Sequence, residues 1–310
     1  MASIRQKLLK ITVGIATGAT FVIKAAPHVL PERFCRNVTE WKSQSSSELP
    51  PSAVPVPERC QVQLKKVLKR LGKEDEEDKI KLFICNGYSP ISAGAVWLPA
   101  GAVIGLPKFF LFEKEADVIA SGLTFKNRAV NWKSKLGGKL ASSLIASDDN
   151  VAFLIGHELS HIQGSDLLYD VPIAPAWLYA TYKITFENQR FLPKTPGIVN
   201  FSARIIVCCL SYLVYSITTR QIKLRQEFAA DKNAAELDLS MALGGVDFTL
   251  KRLHLNSVLR VLYGEEGKLM FSEKGEILKN YTHPKLTERL RLLEEVVHKK
   301  LAGVQDGSQS

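Results

Sequence analysis

The sequence predicts an α+β fold, mainly helical, with a small sheet, an N-terminal anchor and a membrane hairpin. Three observations predict it. His157-Glu158-Leu159-Ser160-His161 is an HExxH inside a segment with start and stop signals for a helix. Ile80–Cys85 alternates, and Ile91–Phe112 is apolar but broken by Gly94, Pro99, Gly101, Gly105 and Pro107, which reads as short strands and turns rather than a membrane helix. Apolar segments stand at the N-terminus and at Val171–Phe186 and Ile198–Ile217.

The chain has 310 residues, enough for one large domain or two small ones. Its formal net charge is +10, but Lys and Arg are scattered and interrupted by acidic runs such as Glu74–Asp78. No nucleic-acid-binding motif accompanies the charge, so nucleic acid is excluded as partner. A basic protein on a membrane surface suits it better. Cys35, Cys60, Cys85, Cys208 and Cys209 are odd in number and form no CxxC, so they read as buried thiols rather than a disulfide framework or zinc ribbon.

Residues 1–31 carry Arg5, Lys7, Lys10 and Lys24 and no acid. The uncharged core Ile11–Ile23 is 13 residues, short for a span, but snorkelling lysines extend it to Leu8–Ala26. A signal peptide, a mitochondrial presequence and an uncleaved anchor compete; the reading favoured is an anchor in a mitochondrial protein. Ser43–Pro57 is rich in Ser and Pro and reads as a linker. Glu58–Leu71 is an amphipathic helix with Val62, Val67, Leu68 and Leu71 as its apolar face, Ile80–Cys85 a strand, and Val118–Phe125 another strand.

Ser147-Asp148-Asp149-Asn150 supplies capping residues, Val151–Gln163 carries the HExxH, and Gly164 ends the helix. Phe153 and Leu154 form its apolar back. Ile198–Ile217 has 15 apolar residues in 20, and with Val171–Phe186 and the polar, proline-containing Glu187–Gly197 it reads as a hairpin in the lipid bilayer. Gln221–Leu239 and Val246–Leu262 are further helices, and Ala302–Ser310 a frayed tail.

Residues four apart on a helix share a face, so His157 and His161 can hold one metal ion and Glu158 can serve as general base. A hydrolytic zinc site needs a third protein ligand and an open position. The candidates are Glu227, Asp231, His254 and His283. Glu227 and Asp231 share a helix face, so one can ligate while the other accepts a hydrogen bond from a ligand imidazole. The chain between His161 and the third ligand must cross a membrane an even number of times, which a hairpin satisfies.

HExxH, then Glu227-x-x-x-Asp231, then His283-Pro284 through Arg289 resembles the M48 zinc metallopeptidases, of the HtpX and CAAX-prenyl-protease kind, over Ser147–Leu293. The resemblance implies one zinc ion on His157, His161 and Glu227, with Glu158 as base. It implies Asp231 as partner of a ligand histidine, His283 near the developing oxyanion, Arg289 as structural, and a peptide or membrane-protein substrate.

Pro90–Gly94, Leu98–Pro107, Asn131–Ser134 and Gly244–Phe248 are similar to the transmembrane protein 177 family over almost the whole chain. That resemblance implies a mitochondrial inner-membrane assembly factor acting with cytochrome c oxidase subunit II and its chaperone. The animal members of that family lack the HExxH that this chain keeps, so the two resemblances imply different chemistry.

The expected organisation is an anchor or targeting segment (1–40), a Ser/Pro linker (41–60), the first half of a metallopeptidase-like domain (61–165), a membrane hairpin (166–220), a second half with the third ligand and the HP motif (221–300) and a tail (301–310). Arg5, Lys7, Lys10, Arg190 and Lys194 would lie together in the matrix, leaving the metal site in the intermembrane space.

Overall fold

The computed structural model describes residues 2–42, 52–125, 128–164, 166–187, 197–279 and 283–307. In chain order the helices are α1 (Ala2–Val29), α2 (Pro31–Val38), α3 (Glu58–Leu71), α4 (Glu115–Ala120), α5 (Lys135–Ser143), α6 (Asp148–Gln163), α7 (Asp166–Asp170), α8 (Ile173–Tyr182), α9 (Gly197–Leu237), α10 (Leu239–Leu262), α11 (Glu265–Met270) and α12 (Leu286–Gly307). The strands are β1 (Trp41–Lys42), β2 (Ser52–Ala53), β3 (Ile80–Cys85), β4 (Ile91–Gly94), β5 (Ala102–Pro107), β6 (Thr124–Phe125) and β7 (Arg128–Ala129).

α6 is the centre of the domain, and its start is fixed locally. Asn150 N–H donates to Ser147 Oγ at 3.2 Å and Ser147 N–H donates back to Asn150 Oδ1 at 2.9 Å, a reciprocal cap that satisfies two orphan donors. Phe153, Leu154, Ile155 and Leu159 are fully buried against Leu64 and Leu68 of α3, Ile104 and Leu106 of β5 and Met241 of α10. Each such side chain stabilises the fold by roughly 1.5–3 kcal/mol relative to exposure. The α10 contact needs two glycines. A Cβ on Gly244 would stand 2.3 Å from the Asp149 carbonyl oxygen, and one on Gly245 would stand 2.7 Å from the Phe153 ring. Arg59 ties the start of α6 to the segment after β5 by donating to the carbonyls of Ala146, Phe110 and Phe112.

The sheet runs β3-β5-β4, with β3 parallel and β4 antiparallel to β5. The outer side of β3 is covered by the segment after α2, through Glu40 N–H to Ile84 O. β4 is the other edge, with Ser92 opposite Ile104. Its terminal Gly94 N–H donates to His28 Nδ1 at 3.3 Å, so the end of α1 closes the tip of that edge.

Among the described residues, two helices are long and apolar enough to cross a membrane: Gln6–Val29 within α1, and α9. None of the apolar window of either is buried in the protein. Ile15, Val22, Phe201, Leu210 and Val214 are all exposed. Such a surface is unfavourable in water and at home in lipid. α8 packs against both. Trp177 Nε1–H donates to Ser211 Oγ at 2.9 Å, Trp177 stacks on Tyr215 at 4.5 Å, and Lys10 lies 3.9 Å from Glu187 at the far end.

The structure keeps the hairpin pairing and corrects several other expectations. α8 with its following π-helical turn, Ile173–Glu187, packs along both α1 and α9 as the first arm of the hairpin. The apolar segment Ile198–Ile217 and the helix expected at Gln221–Leu239 are one 41-residue helix, α9, because no Pro or Gly interrupts them. Val118–Phe125 is mostly not a strand. Asp117 Oδ2 accepts the Glu113 and Lys114 N–H groups and opens the helix α4, whose Val118 is buried while Ile119 is exposed. On α3, Val62 is exposed and Cys60 and Leu64 take the inward face. The thiols of Cys60 and Cys85 are buried, but Cys209 is exposed on the apolar half of α9. α12 continues to Gly307, past the start of the expected tail. Most of the Ser/Pro linker (43–51) and the hairpin loop with Arg190 and Lys194 (188–196) lie outside the described residues.

Candidate metal centre

α6 presents His157 and His161 one turn apart, and α9, packed against it, presents Glu227 and Asp231 one turn apart. These two residues belong to the half of α9 beyond its apolar span. Each imidazole is held from behind by a carboxylate. His157 Nδ1 lies 2.9 Å from Asp231 Oδ1, and His161 Nδ1 lies 2.7 Å from Asp166 Oδ2. A carboxylate can only accept, so both Nδ1 atoms carry the proton in the neutral rings and both Nε2 atoms carry lone pairs.

Those two Nε2 atoms face each other at 3.2 Å. With no proton between them they are two acceptors in contact. Glu227 closes the third side, with Oε2 3.8 Å from His157 Nε2 and Oε1 3.8 Å from His161 Nε2. The three ligand atoms lie within 4.8 Å of one another. Ligands about 2.0–2.2 Å from one tetrahedral ion stand roughly 3.3–3.5 Å apart, so this donor set fits a single divalent metal ion. Converging lone pairs and a carboxylate are a repulsive arrangement that a cation relieves.

The electrostatics agree. Burial lowers the pKa of His161, but Asp166, Glu158 and Glu227 outweigh it and raise the value above the ordinary one. The same negative field favours a metal cation. Burial pushes the Glu227 carboxyl up, but His283, His157 and Arg289 hold it down at about 2. Burial also opposes the charge on Asp231, and the Arg289 guanidinium and His157 overcome it, holding that carboxyl well below the usual range. Arg289 donates to both oxygens of Asp231, Nε to Oδ2 at 2.7 Å and Nη2 to Oδ1 at 2.6 Å.

The site opens on a cleft of about 770 Å³. β4 (Ile91–Gly94) lines one side, Glu276–Leu278 and the start of α12 line another, and His157, Glu158 and His161 line it from α6. Glu158 is 4 % exposed. His283 is at the cleft with Nδ1 3.1 Å from Glu227 Oε1. His254, the other candidate ligand, is exposed on α10 and does not line the cleft. Sequence reasoning missed Asp166. Its signal is an acid five residues after His161, just past the Gly164 helix stop, but a single acid after a helix is too common to read alone. Arg252, also unforeseen, lines the same cleft.

Comparison with known proteins adds relatives of two kinds. The chain is 27% identical to human transmembrane protein 177, over 83% of this chain and 81% of that protein. It is 25% identical to the Xenopus laevis transmembrane protein 177, over 90% and 89% of the two chains. It is 29% identical to a protease HtpX homolog of Leptothrix cholodnii, over 47% of this chain and 54% of that one. No solved structure matches. Residues 109–297, which hold α6, the site half of α9 and most of α12, match the profile of peptidase family M48, and the chain belongs to that family.

Proposed function

We propose that this protein is a membrane-anchored zinc metallopeptidase that cleaves peptide bonds in peptide or membrane-protein substrates. The observation that carries the reading is the pair of Nε2 atoms, 3.2 Å apart and facing Glu227, with the Nδ1 of each ring held by an aspartate. When bound, zinc supplies Lewis acidity, acidifying water and polarising a carbonyl. The chain's residues supply the rest. His157, His161 and Glu227 hold the ion. Glu158 takes a proton from the attacking water and delivers it to the leaving amine as the C–N bond breaks. His283 stabilises the negative charge that grows on the carbonyl oxygen, a contribution of about 3 kcal/mol for a well-placed donor. The Ile91–Ala93 edge of β4 aligns an extended peptide by β-augmentation, beyond the tip that His28 closes.

The test is zinc content and casein cleavage of purified full-length protein. Wild type should hold one zinc ion and cleave. Glu158→Gln should keep the zinc and lose cleavage, and His161→Ala should lose the zinc. Full zinc occupancy without Glu158-dependent proteolysis overturns the reading.

A second reading rests on the similarity to transmembrane protein 177 across most of both chains. In it the protein is a non-catalytic factor of the mitochondrial inner membrane that stabilises newly made cytochrome c oxidase subunit II with its chaperone, and the metal site is structural. Rescue of a null strain separates the two. Full restoration of oxidase assembly by Glu158→Gln favours the scaffold, and restoration by wild type alone excludes it.

A further inference from the structure

Arg252 on α10 is 8 % exposed, and its Nη1 is buried without a hydrogen-bond partner. Among the described residues no carboxylate pairs with it. The contrast with the other arginines of the domain interior is sharp. Arg289 is neutralised by Asp231, and Arg59 donates to three backbone carbonyls. Arg252 has an aromatic face instead, with its guanidinium carbon 5.8 Å from the centre of the Tyr88 ring. It lines the same cleft as His157 and Glu158, beside Tyr88, Leu154 and Phe248. Burial lowers its pKa to about 10, helped by the nearby Arg289 charge, so it remains cationic at neutral pH.

A desolvated cation without a counter-ion is costly, and folds normally pair it or replace it. Here the residue that carries the unpaired donor lines a cleft with Tyr88, Leu154 and Phe248 beside it, and with His157, Glu158 and Glu227 on the same lining. An incoming carboxylate would satisfy Nη1 and gain from the low local dielectric, while Tyr88 and Phe248 would cover the carbon atoms beside it. A guanidinium suits this task because its planar fork matches a carboxylate with two parallel bonds.

We infer that Arg252 recognises a carboxylate of the peptide bound in the cleft, so that the site selects acidic peptides. The inference rests on the peptidase reading insofar as it takes the ligand to be a peptide. The carboxylate has two sources, an Asp or Glu side chain or the free C-terminus of the chain.

The experiment measures binding rather than turnover. Full-length, zinc-loaded Glu158→Gln protein in detergent is titrated into three fluorescein-labelled octapeptides, read by anisotropy. One is neutral with an amidated C-terminus, one differs by a single Gln to Glu exchange, and one differs by a free C-terminal carboxylate. At least one acidic peptide should bind at least tenfold tighter than the neutral amide, and which one does so identifies the source. Arg252→Met, which keeps length and loses charge, should abolish the preference, and Arg252→Lys should retain part of it. Arg252→Met should also raise the melting temperature, because it removes an unpaired buried charge; a merely structural arginine would lower it. Absence of binding by all three peptides, equal affinity for all three, or a preference that survives Arg252→Met overturns the inference. Failure of the peptidase reading shows elsewhere, as absence of Glu158-dependent cleavage by wild type.

Discussion

Arg289 grips both oxygens of Asp231, at 2.7 and 2.6 Å, and Asp231 in turn holds His157 Nδ1 at 2.9 Å. The relay joins the first turn of α12 to α9 and then to α6, so a residue remote from the metal ligands sets the orientation of one of them. Asp231 is fully buried, and removing its partner leaves an uncompensated charge. Arg289→Ala is therefore expected to cost about 3–5 kcal/mol of stability. Asp231→Asn is expected to lower zinc affinity about 10–100-fold. Thermal melting and competition with a chromogenic chelator measure the two effects.

Asp166 plays the equivalent part for His161 from α7, at 2.7 Å. Asp166→Asn should weaken zinc binding by roughly 10-fold or more while leaving melting of the metal-free protein nearly unchanged, because Asp166 is only half-buried. Unchanged chelator competition would mean that the His161 ring is held by packing alone.

The glycines predict a sharp contrast. Gly244→Ala places a methyl group 2.3 Å from the Asp149 carbonyl oxygen, where neither partner can yield, because both are backbone at the α6–α10 contact. It is expected to destabilise by more than about 2 kcal/mol through overpacking. Gly138→Ala, on α5 with nothing within 4 Å, should instead stabilise by about 0.5–1 kcal/mol. Denaturant midpoints of the two variants check both signs.

The buried thiols predict an alkaline weakness. Burial raises the Cys60 thiol from 9.0 to about 11 and the Cys85 thiol to about 12. A raised folded pKa gives stability that is complete below the unfolded value and is lost as pH rises through the folded one. Between pH 8 and about 10.5 the wild type should therefore lose about 2 kcal/mol more than Cys60→Ala. Urea melts of the metal-free proteins at the two pH values give the difference directly.

Much of the candidate site is legible in the sequence, since its signals are local. A capped helix places His157, Glu158 and His161 on one face by spacing alone, and the four-residue step from Glu227 to Asp231 does the same on α9. The short strands follow from glycine and proline punctuation, and β3 from alternation. Legibility fails where a segment's state depends on distant packing. Val118–Phe125 has strand composition, yet the Asp117 cap draws Val118–Ala120 into helix and only Thr124–Phe125 is strand. On α3 the expected Val67, Leu68 and Leu71 do face the core, but Cys60 and Leu64 complete that face and Val62 is exposed.

What the sequence determined by itself is the chemistry on offer: two imidazoles, a general base, a pair of carboxylates and apolar segments to anchor them. Tertiary structure alone decided which groups meet. It laid the far half of α9 against α6, so that Glu227 faces both histidines. It brought Asp166 behind His161 and Arg289 behind Asp231, and it left Arg252 desolvated without a partner. The reason is physical. Helix spacing is written in neighbouring residues, whereas a counter-charge is fixed by elements that pack across 58 residues of chain, as Asp231 and Arg289 do.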